Sequence, residues 1–256
     1  MPGNEPDRTG EDLTGDSLAA IDQQPAHPGT AAGRWAAAGI VMLFAMGLIG
    51  VGALRFLGVH SAQPPTLSAY ATLIYVGLSV LSAILLIRVG VPIRRLGFVA
   101  VERRWFLPVL VVLGVAILQL SSSLLAPVWE HMFGSGRDMT RFSEVARSNS
   151  ALAKLLVLNW TVAAFGEELA FRILLMRGIA YALGDSRAAF VIALVAQTVV
   201  FGLVHAYQGP AGIAGTVISG LVYGGLTLAA RGSIWPAALA HGLNNTIGII
   251  ELYRIS

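Results

Sequence analysis

Two adjacent carboxylates and an arginine, Glu167, Glu168 and Arg172, stand in the run Phe165-Gly-Glu-Glu-Leu-Ala-Phe-Arg172, which lies in a segment otherwise apolar enough to cross a bilayer. Ionisable side chains near a bilayer centre cost roughly 2.5–3.5 kcal/mol each on insertion scales, so they face a protein interior or a wet cavity and mark function there. On a helix turning roughly 100° per residue, Glu168 and Arg172 share one face in good geometry for an ion pair, while Glu167 points about 100° away toward another partner. One carboxylate is neutralised locally and the other is left for chemistry. The competing reading of the three is polar glue between helices.

Three further strongly polar side chains interrupt uncharged runs: His205, His241 and Asn245. His241 and Asn245 are four apart and project from one helix face. A single helix histidine is more often a packing group than a ligand, but two histidines on separate helices beside an unpaired glutamate reverse those odds. Amide hydrolysis needs an activated water, a proton acceptor and a donor aimed where negative charge develops, and one Glu, two His and an Asn supply each. Glu167, His205 and His241 can also bind Zn2+ or another divalent metal with an open fourth position. The same groups can hold a water by hydrogen bonds alone, and the residue types leave both routes open. With no cysteine, there is no thiolate nucleophile and no Cys-based metal site.

The elements that carry these residues belong to a membrane. Of the 256 residues 55% are hydrophobic and only 12% charged, with a mean hydropathy of +0.72. A soluble domain carries about twice that charge fraction. The formal charge of +3 does not point to nucleic acid, because the basic residues cluster in loops flanking apolar runs. The expectation is an all-α polytopic membrane protein with about seven transmembrane helices and an intramembrane polar site. The spans fall near 35–54, 66–87, 105–129, 151–177, 188–204, 211–230 and 234–250. A re-entrant or interfacial turn is expected near Gly178–Arg187, and an eighth element is counted if it is re-entrant.

Residues 1–34 are rich in Pro, Gly, Asp and Gln and read as a disordered acidic tail without the basic start of a signal peptide. Residues 35–150 form amino-terminal transmembrane helices, and 151–256 a core that carries the polar constellation. Arg88, Arg94, Arg95, Arg103 and Arg104 face Glu102 alone in the loop after the second span, which marks it cytoplasmic; the loop 130–150 balances to zero and suits the other side. The amino terminus is then cytoplasmic and, after seven spans, the carboxyl terminus is outside. Counted inward from the cytoplasmic ends at about 1.5 Å per residue, Glu167 and His241 lie roughly 12–16 Å deep but His205 roughly 25 Å deep. They meet only if span five starts deeper or tilts.

Two polar features are expected to be structural. Ser121-Ser-Ser123 lacks a Gly-x-Ser-x-Gly elbow and reads as backbone-bonded helix polarity. Gly212, Thr216, Gly220 and Gly224, at strict four-residue spacing, read as a close-packing stripe. No internal repeat supports a transporter of two halves.

In order and spacing, Glu167-Glu168-x-x-x-Arg172, Phe201-x-x-x-His205 and His241-x-x-x-Asn245 resemble the three motifs of the CPBP intramembrane protease family, which includes the CAAX prenyl proteases and the bacterial Abi-type proteins. Trp235-Pro236 and Gly202 are also similar to that family, and the likeness covers about Asn159–Gly248. Phe171-Arg-Ile-Leu departs from it only where Gly is frequent after the Arg. The resemblance implies a metalloprotease-type endopeptidase, with the metal undecided, that hydrolyses a peptide bond near the membrane-tethered end of a protein or peptide, as in CAAX-box processing. Its partners are that substrate and the lipid bilayer. Glu167 would be the general base, with His205 and His241 holding the water directly or through a metal. Asn245 would stabilise the oxyanion, and Glu168 with Arg172 would shape the site. The alternative within the same family is a non-catalytic bacteriocin-immunity or scaffold protein. The Ala/Gly/Arg bias suits a bacterial plasma membrane, where a prenylated substrate is less expected.

Overall fold

The computed structural model describes residues 30–59, 64–91, 97, 99–101, 103–139, 142 and 148–254. The acidic tail up to residue 29, together with Arg94, Arg95, Glu102, Arg141, Glu144 and Arg147, lies outside the described residues. Seven helical rods account for nearly all the rest: α1 (Ala31–Val59), α2 (Pro64–Arg88), α3 (Phe106–Phe133), α4 (149–182), α5 (Arg187–Val204), α6 (Gly209–Ala229) and α7 (Trp235–Arg254). No strand occurs among the described residues. The chain enters α1 at Ala31, so the helix takes in four residues that composition alone assigned to the tail.

Five helices are long and apolar enough to cross a membrane by length and composition: Ala31–Gly58, Tyr70–Arg88, Phe106–Phe133, Arg187–Val204 and Ala206–Ala229. In the most apolar windows of these helices only 22–44% of the residues are buried inside the protein. Met42, Leu43, Leu73, Val112, Leu124 and Val191 all project outward. A surface this apolar is solvated by lipid, and a helix satisfies its own backbone there. The protein is an integral membrane protein.

The rods pack around α4. It touches α1, α2, α5, α6 and α7, while α3 closes the far side against α6 and α7. One core joins α1, α2, α4 and α5 through Phe44, Leu48, Leu86, Phe171 and Phe201; a second joins α3, α6 and α7 through Leu118, Tyr223 and Ala240. The two halves of the sequence thus form one bundle.

Small residues set the closest approaches. A Cβ on Gly220 would stand 3.3 Å from Phe201 and from the Thr198 Cα, and one on Gly224 would run into Leu194. Gly220 and Gly224 of the stripe pack α6 against α5, as the spacing indicated, whereas Gly212 lies against Gln208 and Thr216 lines the cavity. Ser123 Oγ donates to the Gln119 carbonyl at 3.0 Å, the backbone-bonded polarity anticipated for the serine run.

α4 is unusual inside. It starts as α-helix, capped by Ser148, whose side chain accepts from the Ala151 N–H. Asn159–Glu167 and Leu169–Met176 then wind as π-helix, and Arg177–Ala182 returns to α. Such i→i+5 turns are rare and are found mostly at functional sites. Two packing interactions hold the wide turns: Asn159 Nδ2 donates to the Gly242 carbonyl at 2.9 Å, and the Trp160 ring lies where Gly242 has no side chain.

The ends of the bundle differ. At one end Ile234 N donates to the Gly97 carbonyl at 3.1 Å, and Arg34 Nη1 lies against Gly184. This end gathers Arg34, Arg88, Arg103, Arg104, Arg177, Arg187 and Arg231. At the other end the Asp138 N–H donates to the Gln208 carbonyl at 3.0 Å and the Tyr253 hydroxyl donates to Asn149 Oδ1 at 2.6 Å.

No re-entrant segment forms at 178–187. Residues 177–182 continue the helix and only 183–186 turn, capped by Ser186, whose Oγ accepts from the Ala189 N–H at 3.1 Å. The depth conflict dissolves for this reason: counted from the shared turn, Glu167 is as far from Ala182 as His205 is from Arg187, to within a turn of helix. The short α5 stops at that level, and Gly209, at φ +76°, redirects the chain into α6.

Gly242→Ala tests the wide turns. Its Cβ would stand 2.5–2.7 Å from three Trp160 ring atoms, an overpacking that costs roughly 1–3 kcal/mol. Thermal unfolding in detergent should show a lowered Tm, whereas Gly50→Ala, with open space around it, should leave Tm unchanged or raise it. Equal behaviour of the two would refute the packing role of Trp160.

Candidate active site

Glu168 and Arg172 have no solvent exposure at all. Arg172 Nε lies 3.1 Å from Glu168 Oε2, a pair at i and i+4 that survives the π-helical winding. The guanidinium is also walled by rings, with Phe201 at 4.8 Å and Tyr223 at 5.3 Å from its carbon, so cation–π attraction replaces part of the lost hydration. Its Nη2 reaches the Gly220 carbonyl at 3.4 Å, which also accepts from Gln197 Nε2 at 3.0 Å.

The other Glu168 oxygen, Oε1, accepts from His241 Nδ1 at 2.9 Å. A carboxylate held by an arginine can only accept, so Nδ1 carries the ring proton and Nε2 keeps its lone pair. The Tyr223 ring stacks on His241 with centroids 4.6 Å apart and planes 15° apart. His241 is therefore fixed in tautomer and in orientation. His205 is fixed in the same way by different means: its Nδ1 lies 2.7 Å from the Phe201 carbonyl, which must accept, and this again leaves the lone pair on Nε2.

That Nε2 is 3.9 Å from Glu167 Oε2. Glu167, His205 and His241 are all buried and all line one cavity of about 440 Å3, together with the half-buried Asn245. The structure thus brings all six sequence-derived residues to one place. Four of them face the cavity, and Glu168 and Arg172 stand behind. In the π-helical winding successive residues diverge by less than in an α-helix, so the neighbours Glu167 and Glu168 serve two adjacent helices, α5 and α7.

A water between Glu167 Oε2 and His205 Nε2 would have both of its hydrogens accepted. For a metal the donor types suit Zn2+, but no three His, Asp or Glu among the described residues stand at ligand spacing. The residues as placed do not fit a metal ion, and the chemistry below is derived without one.

Other residues of the site escaped the sequence reading. Arg55, just past the predicted end of the first span, is buried and lines the cavity. Asn159 ties α4 to α7, and Gln119 Nε2 donates to Asn244 Oδ1 at 3.1 Å, tying α3 to α7. Arg137 Nε donates to Gln208 Oε1 at 2.8 Å at the cavity mouth. Isolated amides in apolar helices, Gln119, Asn159 and Gln197, were the signal available.

Fold and site together define a membrane protein with a carboxylate–histidine centre between its helices. Residues 149–247 match the family model described as type II CAAX prenyl endopeptidase, Rce1-like. The match covers the stretch that carries the polar constellation, and it supports assigning that domain to the CPBP, or CAAX-protease, family of protease-type hydrolases. No curated protein and no solved structure matches the chain.

Losing one member of a buried pair costs about 3–5 kcal/mol because the other charge is left uncompensated. Arg172→Ala should therefore sharply reduce the yield of folded protein. Replacing Glu168 and Arg172 together by apolar residues should recover folding but not function, since His241 loses the acceptor of its Nδ1 proton. Normal yield and melting of Arg172→Ala would show that the pair is not needed.

Proposed function

We propose that the protein is an intramembrane endopeptidase that hydrolyses a peptide bond near the membrane-tethered end of a protein or peptide, with Glu167 as general base. The observation that carries this reading is the approach of Glu167 Oε2 to His205 Nε2 inside the cavity. Glu167 takes a proton from water while His205 Nε2 accepts the second hydrogen, and the water oxygen attacks the carbonyl carbon. The Asn245 amide, one turn from His241, donates to the developing oxyanion. Collapse of the tetrahedral intermediate breaks the C–N bond, and Glu167 returns its proton to the leaving amine. Glu168 keeps His241 in register on the opposite wall. A Zn2+-assisted version, with Glu167, His205 and His241 as ligands, would need those three groups to draw together first.

The same reading sets all seven rods across a bacterial plasma membrane, with the polar site inside it. The arginine-rich end is cytoplasmic, and so is the amino terminus. The mouth of the cavity is lined by Trp129, Glu130 and Arg137, at the end away from those arginines. The scissile bond then approaches from the non-cytoplasmic face, a setting that does not favour CAAX-box processing of a prenylated cytosolic protein. Labelling of single cysteines in intact cells should reach position 137 from outside and position 185 only after permeabilisation. Reagents that reach both from one side would refute this orientation.

Activity of purified protein on membrane-anchored peptides tests the chemistry. Glu167→Gln keeps size and hydrogen bonding but cannot take the proton, so turnover should vanish while folding and peptide binding persist. Asn245→Ala should retain a residue of activity, about 100- to 1000-fold below wild type. A bacteriocin-immunity or scaffold role predicts the reverse, a cellular function indifferent to Glu167→Gln. Full cleavage by that variant would remove Glu167 from the mechanism.

A further inference from the structure

Arg55 is a buried arginine that the hydrolytic steps do not use. It sits on α1, outside the matched domain, and only 7% of it is exposed. What brings it to the site is Gly52, whose missing side chain lets α1 approach the last turn of α5. A Cβ there would be 2.7 Å from the Val204 Cα. One turn further along α1, Arg55 therefore stands beside the turn that begins with His205, and it lines the same cavity as Glu167.

Its bonding is incomplete. The guanidinium lies over the Tyr75 ring, 5.7 Å from the centroid, and its Nε has no hydrogen-bond partner among the described residues. A buried cation with an unmade hydrogen bond calls for an explanation, and a ligand group is one. At the exposed mouth of the cavity stands a second guanidinium, that of Arg137, whose Nε–H goes to Gln208. Two arginines on one path, one at the rim and one at depth, fit an anion that is drawn in and then held.

We propose that Arg55 is the anchor of an anion subsite that binds a carboxylate of the substrate and so positions the peptide against Glu167. The inference rests on the peptidase reading for the nature of the substrate. The planar fork of an arginine matches the two oxygens of a carboxylate. A peptide offers that group from two sources, its own carboxyl terminus or an acidic side chain beside the scissile bond. Arg55 acts as a positioning residue for the reacting bond, and Tyr75 supports its guanidinium from below.

The test uses the full chain in lipid nanodiscs and three membrane-anchored peptides of one sequence: one ending in the free acid, one in the amide, and one in the amide with glutamate as last residue. Binding is measured on Glu167→Gln, so that no peptide is consumed. At least one carboxylate peptide should bind about 10- to 100-fold tighter than the plain amide, and whichever does identifies the source. Arg55→Gln should erase that preference, and Arg55→Lys, which keeps charge but not the fork, should retain part of it. In turnover with Glu167 intact, Arg55→Gln should raise KM for the preferred peptide and leave kcat nearly unchanged. Equal binding of all three peptides overturns the proposal, as does a preference that survives Arg55→Gln or an equal loss on acid and amide. Cleavage by Glu167→Gln would instead overturn the peptidase mechanism while leaving the carboxylate preference measurable.

Discussion

The Glu168 carboxylate is the constraint on which the rest of the site depends. One oxygen faces Arg172 and the other His241, and neither Glu168 nor Arg172 is exposed to solvent. Taking two charges out of water costs several kcal/mol per ion, and only good geometry with further polar partners offsets it. Here the partners come from three neighbouring helices: rings from α5 and α6, a carbonyl from α6 and an imidazole from α7. The pair thus has these partners only when α4, α5, α6 and α7 are all in place, which makes it a check on assembly as well as a support for His241.

The level of the site follows from helix lengths. α4 runs from residue 149 to 182, whereas α5 has only 18 residues and ends at Val204. A short helix beside a long one leaves its terminal turn sunk within the bundle, with room above it for a cavity. His205 occupies that turn, where its Nδ1 can bond a carbonyl of its own helix and its Nε2 can look into the space. Wide turns in α4 then allow adjacent glutamates to address adjacent helices. The meeting of Glu167 with His205 rests on both irregularities.

Much of this was legible in the sequence. Charge in an apolar run is costly enough that Glu167, Glu168 and Arg172 single themselves out, and helical periodicity paired Glu168 with Arg172. All seven rods could be placed from hydropathy, with ends shifted by a few residues. What periodicity could not show was the π-helical winding, because it is imposed by packing partners such as Gly242 and by the Asn159 bond rather than by local preference. The depth of Glu167 was misjudged because α4 was ended at Arg177, although nothing in Gly178–Ala182 stops a helix. Arg55 did not stand out, because an arginine just past the end of an apolar run is ordinary at a membrane interface. Only the contact of Gly52 with Val204, which is long-range, turns it inward.

The distribution of polarity gives a last argument for a wet reaction inside a lipid-facing bundle. α1, α2, α3 and α5 turn their large side chains outward and leave few of their own residues buried. The two rods that are not in the set of five long apolar spans, α4 and α7, are those that carry Glu167, Glu168, Arg172, His241 and Asn245. A helix that gives up apolar residues to carry chemistry loses its preference for lipid, so it must be enclosed by others that keep theirs. α1, α2 and α3 pack against the helices that carry these residues, although the matched domain begins only at residue 149. Their service is not insulation alone: Gly52 and Arg55 on α1, Thr72 on α2 and Gln119 on α3 reach the cavity or the helices that wall it. The amino-terminal helices are thus part of the cavity wall, and its shape and charge are open to change through them without touching the carboxylate–histidine centre.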